Sequence, residues 1–323
     1  MRFVYAFAAW LPRALLVLVA IGLLNFFLIR LAPGDPASVL AGETGASDAR
    51  YIEEIRKSYG LDQPLWLQAA TYLRNLATFD LGVSYRMQRD VADIIGERIP
   101  ATLLLTSTAL VLAIIIGTLL GIQAARRAGT WQDTVISAFA MLCYATPVFW
   151  VGLLLVLLLS VHAGILPPFG MSGLIPKSGF AAVLDALHHL VLPVMTLALF
   201  YFAVYVRLGR SATVEVLGRD FVRSARAKGL SERQVLRRHV LRNSVIPVVT
   251  MAGLQVGQLL GGAVIVESVF AWPGIGRLAF DALMQRDYNL ILGIFFVSSI
   301  MVVLANLITD LAVRSIDPRV GRS

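Results

Sequence analysis

The sequence predicts an all-α membrane protein: six transmembrane helices, a cytoplasmic loop built from two short helices, and a sizeable external loop after the first span. Three observations carry this. Charge is scarce, since 28 Lys+Arg and 20 Asp+Glu make up only 15% of 323 residues, where a soluble domain carries about 25%. Hydrophobic residues reach 58% and mean hydropathy is +0.76, which leaves too little polar surface for a water-soluble fold of this length. The apolar residues also gather into stretches long enough to cross a bilayer. A hydrocarbon core of about 30 Å takes roughly 20 helical residues, and a helix satisfies its own backbone there.

Six stretches qualify, over about 10–31, 101–125, 134–160, 186–207, 244–266 and 288–311. Residues 1–31 read as a retained N-terminal transmembrane anchor and not as a secretory signal. The apolar core is long, PGDP (33–36) follows where a small-residue cleavage site would stand, and the weak pair Val39 and Ala41 lies too far on. Residues 32–100 form the external loop, with helical spacing over Tyr51–Tyr59 and Pro64–Leu76. Residues 101–311 make a five-helix core that includes the inner loop 208–243, and 312–323 are a cytoplasmic tail.

A net charge of +8 and a pI near 10.0 would point to nucleic acid in a soluble protein. Here the charges set orientation instead. With both termini inside, the cytoplasmic pieces hold 17 basic and six acidic residues, a net of +11, and the external pieces hold 11 basic and 14 acidic, a net of −3. That is the positive-inside pattern. Ten of the basic residues lie between Arg207 and Arg242. Trp10, Trp131 and Trp272 fall near span ends, where interfacial aromatics sit. The single cysteine, Cys143, lies in an apolar run, which excludes an internal disulfide and a cysteine-based metal cluster.

The inner loop has a legible build. DFVRSARAKGLSERQVLRRHVLRNSVIP (220–247) reads as helix, glycine break, helix. Asp220 is placed to cap the first helix. Gly229 supplies the left-handed residue that ends it, with Lys228 in its last turn. Ser231 and Gln234 have the spacing of a capping box that opens a second helix, Glu232 to about Arg242, and Pro247 marks the start of the next span. Spacing alone leaves two uses open: a lever seated in a partner's groove, or a polybasic surface lying on anionic headgroups.

Other chemistry is missing from the sequence. There is no G-x-x-x-x-G-K-[ST], so any ATP use must come from another chain, and no H-E-x-x-H or other metal-ligand spacing among the four histidines. GMSG (170–173) resembles the Gly-x-Ser-Gly motif of rhomboid-type intramembrane serine proteases, which makes Ser172 a remote nucleophile candidate. It lies in LPPFGMSGLIP (166–176), which reads as an external loop, and no histidine falls in the last two spans. Asp185, Glu267, Asp287 and Asp310 all lie near span ends, so the span interiors offer no carrier for proton or sodium coupling. Pro147 is expected to kink the third span. Gly253, Gly257, Gly261 and Gly262 give the fifth a small-residue face, and Ile275, Leu278, Ala279, Ala282 and Leu283 have the spacing of a short external amphipathic helix.

ARAKGLSE (225–232) followed by HVLRNSVIP (239–247) resembles the ATPase-coupling loop of ABC-importer permeases, in the version found in the dipeptide/oligopeptide permease family. RLAPGDPA (30–37), YGLDQPL (59–65), FDLGVSY (79–85), ERIPATL (97–103), LLGGAVIVE (259–267), PGIGR (273–277), RDY (286–288) and DPR (317–319) follow the same family's pattern in order. The Glu-Ala-Ala that opens the general loop is Arg223-Ser224-Ala225 here, and its Leu-Pro is Leu241-Arg242; both changes are usual in the peptide branch. The resemblance implies a non-catalytic, multi-pass permease of the bacterial inner membrane with both termini cytoplasmic. It implies a second permease subunit, two P-loop ATPases that bind the ATP and Mg, an external substrate-binding protein, and no nucleic acid. The chain itself needs no cofactor or metal. The coupling residues it implies are Ala225, Lys228, Gly229, Leu230, Ser231, Glu232, Val235, Leu236 and Arg238, with a coupling helix from Ser231 to about Arg238. The cargo it implies is di- or oligopeptides, although relatives also carry nickel chelates, glutathione and oligosaccharides. Substrate-lining residues are not named by the sequence.

Overall fold

A computed structural model describes residues 2–31, 62–84, 86–173, 175 and 177–316, without the side chains of 2–10, 29–31, 256–262, 310 and 312–316. The expectations for Tyr51–Tyr59, for most of RLAPGDPA, for the first three residues of YGLDQPL, for DPR and for the end of the tail lie outside these residues. The chain forms two compact units, Met1–Ile99 with Leu278–Val303 and Pro100–Arg277 with Leu304–Ser323.

In the first unit, α1 (Arg2–Leu31) carries the first apolar stretch and α2 (Leu65–Ala77) is the helix expected over 64–76. They meet at a glycine: a Cβ on Gly22 would lie 3.1 Å from both Leu73 and Leu76, and the Phe26 and Tyr72 rings are 5.8 Å apart. A two-residue hairpin follows, β1 (Val83–Ser84) paired antiparallel with β2 (Arg89–Asp90), so the described fold is helical apart from this ribbon. Helix α11 (Tyr288–Ile316) belongs partly to this unit. Asp287 caps it by accepting from Leu290 N–H at 3.2 Å, and the same carboxylate accepts from Ser84 Oγ at 2.5 Å. Asn289 Nδ2 donates to Val83 O at 3.1 Å. The motifs FDLGVSY and RDY are therefore two halves of one joint.

In chain order, α3 is Val91–Arg126, α4 Trp131–Ala145 and α5 Val148–Leu155, which runs on as a π-helical turn, Val156–His162. Helix α6 is Phe180–Leu217, α7 Asp220–Ala227 and α8 Glu232–Val235; a second π-helical turn, Leu236–Val240, leads into α9 (Leu241–Val269), and α10 is Ile275–Gln285. Four described helices are long and apolar enough to cross a membrane, within Leu11–Leu28, Val91–Arg126, Phe180–Leu217 and Tyr288–Thr309. The bent pair α4–α5 makes a fifth when taken as one span. Helix α9 coincides with the remaining predicted stretch.

The boundaries move in physically instructive ways. Helix α3 begins at Val91 and not near 101, so the end of the predicted external loop is helical, and Pro100 lies inside that helix. The third stretch is not a kinked helix. It breaks, bending by 105°, because Thr146 is extended (φ −85°, ψ 131°) and Pro147 stands outside α5. Proline disfavours helical backbone in the residue before it, so it ends α4 outright. Helix α6 extends to Leu217, consuming the first ten residues of the predicted inner loop.

The core of the second unit gathers Leu105, Leu197, Tyr205, Val248, Val266, Phe270 and Trp272. Trp272 is fully buried and donates from Nε1 to Ala101 O at 2.9 Å, so it is not an interfacial anchor; Trp131 is 72% exposed, as an anchor would be. Glu267 is also fully buried. It accepts from Thr102 Oγ1 at 2.7 Å and Arg277 N–H at 3.0 Å, while Ile275 N–H donates to Thr102 Oγ1 at 2.8 Å. A Cβ at Gly274 would overlap this carboxylate, so PGIGR and the end of LLGGAVIVE form one glycine-dependent turn. Backbones approach closely between α3 and α6: a Cβ on Gly117 would lie 2.8 Å from Phe202 O, and one on Gly121 would meet Val206 O and Arg210 N. Of the glycines expected to pack α9, Gly253 is tightly apposed to Thr309.

Candidate functional site in the loop after helix six

Only Gly218 and Arg219 separate α6 from α7. Asp220 does not cap α7. It is the first helical residue, and Arg219 occupies the capping position with extended backbone and no side-chain bond. Asp220 still places its negative charge where a helix N-terminus favours it.

The far end of α7 follows its sequence closely. Gly229 has φ +82°, its N–H reaches Arg226 O at 2.9 Å, and Leu230 N–H reaches Ala225 O at 3.4 Å. This is the paired-bond helix stop that a glycine in left-handed backbone permits. Nothing lies within 4 Å of a Cβ built there, so glycine is required by conformation and not by crowding. Ser231 and Gln234 then complete both arms of the capping box: Gln234 N–H to Ser231 Oγ at 3.4 Å and Ser231 N–H to Gln234 Oε1 at 3.0 Å. The second helix does not stop near Arg242. It passes through the π-helical turn into α9, with Pro247 inside the helix.

The nine predicted residues divide by burial. Ala225 and Val235 are buried with Val222 and Val240, and Leu230 and Leu236 pack against that cluster. Fully burying a valine is worth about 1.5–3 kcal/mol, and Val222, Val235 and Val240 are each at 0% exposure. The loop therefore has a small core, which it shares with Val216 and Leu217 at the end of α6. Lys228, Gly229, Ser231, Glu232 and Arg238 are exposed. Glu232 is fixed across the break by Arg226, which donates Nε to Oε1 at 2.8 Å and a terminal nitrogen to Oε2 at 3.2 Å. The Arg226 guanidinium holds the Glu232 carboxyl below its ordinary range, and the carboxylate raises Arg226 in turn.

Sequence reasoning missed Arg226, Val222 and Val240. The i,i+3 spacing of Val222 and Ala225 was available as a signal. The six-residue separation of Arg226 and Glu232 fits no helical pairing and becomes a contact only once Gly229 turns the chain. What results is an exposed surface, backed by that shared core and joined almost without slack to the long helices α6 and α9. It holds no nucleophile or acid–base pair. Ser172 is exposed in the irregular segment before α6, and the neighbouring imidazoles are engaged elsewhere: His188 Nε2 with Ile165 O at 3.0 Å and His189 Nδ1 with Asp185 O at 2.8 Å.

Comparison with known proteins shows the family. Residues 117–322 match the family described as binding-protein-dependent transport system inner membrane component, and 7–106 match its N-terminal membrane component. The dipeptide transport system permease protein DppB of Escherichia coli K12 is 38% identical over 320 residues, covering 94% of each chain. The di/tripeptide permease DppB of Pseudomonas aeruginosa is 40% identical over 313 residues, covering 92% of this chain and 93% of its own. The glutathione permease GsiC of E. coli K12 is 41% identical over 303 residues, covering 94% of each. In fold, the chain is similar to a solved structure of the MetNI methionine ABC transporter, with TM-score 0.56 and 16% identity over 69% of this chain and 96% of that one. Membership removes the protease reading of Ser172. This chain belongs to the binding-protein-dependent inner membrane component family, and it is a permease subunit of an ABC importer, a multi-pass membrane protein and not an enzyme.

Proposed function

We propose that this permease carries di- or oligopeptides and that residues 218–240 are the element on which separate ATPase subunits act. The carrying observation is the loop's construction: a helix stop at Gly229, a capping box at Ser231 and a valine core continuous with the end of α6 hold Lys228, Ser231, Glu232 and Arg238 on one exposed structure. A polybasic segment that merely lies on headgroups needs no such core. In this reading six spans cross the inner membrane with both termini cytoplasmic, a second permease subunit completes the path, two P-loop ATPases bind ATP and Mg, and an external binding protein delivers cargo. The peptide assignment is supported by relatives named for dipeptides and di/tripeptides. A second cargo, glutathione, is favoured by the 41% identity to the glutathione permease and is itself a modified tripeptide.

The test is to purify the cognate binding protein and identify its bound ligand by mass spectrometry, then reconstitute the importer with it. Peptide bound and transported supports the assignment. A nickel chelate or oligosaccharide overturns it. Failure of the chain to co-purify with a P-loop ATPase overturns the driven-loop reading.

A further inference from the structure

We infer that Asp133 and Arg210 are positioning residues for transport: their ion pair pins the first turn of α4 to the part of α6 that leads into the driven loop, so that α4 moves when the loop moves. This rests on the reading of 218–240 as the ATPase-driven element.

The geometry is that of a pin. Arg210 Nε donates to Asp133 Oδ1 at 2.6 Å and a terminal nitrogen donates to Oδ2 at 2.7 Å, two parallel bonds in the fork that arginine forms with a carboxylate. The Asp133 side chain is only 8% exposed. Gly129 N–H at 3.0 Å and Ser137 Oγ at 3.4 Å hold the same carboxylate from its own turn and helix. A wholly exposed pair would rearrange at little cost; here the Arg210 side chain is 37% exposed, and it is the buried Asp133 carboxylate, held by two bonds, that parting would strand.

Its position matters as much as its strength. Arg210 precedes Leu217, the last residue of α6, by seven residues, about 10 Å along the helix. At the same level α6 is pressed against α3, since a Cβ on Gly121 would lie 2.9 Å from Arg210 N. Farther along, α4 stays on α6 through Phe139 and Phe202, with ring centroids 6.0 Å apart, and through the stacked Tyr144 and Phe200 at 6.2 Å. Helix α4 then ends at the 105° break before Pro147. One end of α4 is thus pinned to the helix that bears the driven loop, and the other is a corner where Pro147 is exposed and Val148 packs against the unit's core. A displacement of α6 carried through the pin arrives at that corner as a change in the α4–α5 angle.

The experiment uses the full importer in proteoliposomes and reads how strongly its binding protein stimulates ATP hydrolysis, together with co-purification of the ATPase subunits. Asp133→Asn and Arg210→Lys should each cut the stimulation about 5- to 20-fold, the scale of residues that carry coupling between sites, with ATPase subunits still bound. The exchange D133R/R210D should restore at least half. Should D133N fail to reach the membrane, R210K carries the same expectation, because it keeps the charge and loses the fork. Wild-type stimulation in both single variants overturns the pin. So does loss of ATPase co-purification, which assigns the pair to assembly, and so does an exchange that rescues nothing. Gly229→Val run in parallel separates the two readings: if it uncouples and D133N does not, only the pin fails, and if it leaves coupling intact, the driven-loop reading fails and the pin with it.

Discussion

Gly229 offers the sharpest test of how the loop works, because conformation and size make opposite predictions there. Its φ of +82° is left-handed, and a Cβ at the site meets nothing within 4 Å. The cost of a side chain is therefore backbone strain alone, about 1–2 kcal/mol for an ordinary L-residue. A shift of that size changes the ratio of closed to opened break about 5- to 30-fold. Asparagine tolerates left-handed backbone and should cost least; alanine should cost more, and β-branched valine most. The order of damage is then Asn, Ala, Val, although asparagine is larger than alanine. The assay is stimulation of ATP hydrolysis by the binding protein in reconstituted importer, with membrane insertion checked by the amount of purified chain. If Gly229→Asn is more damaging than Gly229→Ala, the position is read by volume, so it touches the partner directly and the strain argument is wrong. If Gly229→Val matches wild type, the break is not part of the coupling device.

Glu232→Arg removes the Arg226 pair and puts a like charge in its place, so coupling should fall while the unfolding temperature hardly changes, since exposed pairs contribute little to stability. Because the folded Glu232 carboxyl lies below its ordinary range, the pair's contribution is fully present above about pH 4.3, the unfolded value, and is lost as pH falls through the lower folded value; protease protection of the loop should thus hold at pH 5 and decline only in stronger acid. Gly121→Leu should abolish recovery of monodisperse protein, because its Cβ would meet Val206 O and Arg210 N, while Gly96→Ala, with nothing within 4 Å, should purify like wild type. Glu267→Ala leaves Thr102 and the Arg277 amide without their acceptor and should lower stability by about 3 kcal/mol or more, read as a drop in melting temperature in detergent; an unchanged melting temperature would remove Glu267 from the turn's support.

Apolar length made the helices legible, and the loop's punctuation was legible too, since Gly229, Ser231 and Gln234 act through bonds within a few residues of themselves. What escaped was whatever depends on partners far away in the chain. Composition could not show that α3 starts at Val91, because the polar turns of residues 91–100 look like loop until Val91, Ile94 and Ile95 are seen buried. Pro147 was visible, but whether a proline kinks or ends a helix depends on the residue before it, and Thr146 took the extended conformation. GTLLG (117–121) carried the close-packing spacing, as did the glycines of the fifth span. Only the facing Gly209, whose Cβ would lie 3.3 Å from Thr118, decides which pair of helices uses it.

The buried acids show why position along the chain was a poor guide to role. Among the described residues, Asp133, Asp185, Glu267 and Asp287 are buried carboxylates, and each is satisfied in the same manner, by a backbone N–H and a side-chain donor. Asp133 takes Gly129 N–H and Arg210, and Asp185 takes Gly173 N–H and Lys177. Glu267 takes Arg277 N–H and Thr102, and Asp287 takes Leu290 N–H and Ser84. A carboxylate has acceptor capacity for both at once, so a single acidic residue closes a turn and ties it to a second segment. Reading these acids as interfacial put Asp185, Glu267 and Asp287 near the correct ends of their helices but gave them the wrong partner: the protein's own turns in place of water. Two of the four, Asp133 and Asp185, hold cations, and two, Glu267 and Asp287, hold neutral hydroxyls. Breaking the first kind strands a buried carboxylate and forfeits a full cation, although Lys177 and Arg210 themselves reach solvent, whereas breaking the second forfeits only a hydroxyl's bond. The joint asked to transmit force between α4 and α6 is of the first kind, and the joints that only fix a turn to a helix, at Glu267 and Asp287, are of the second.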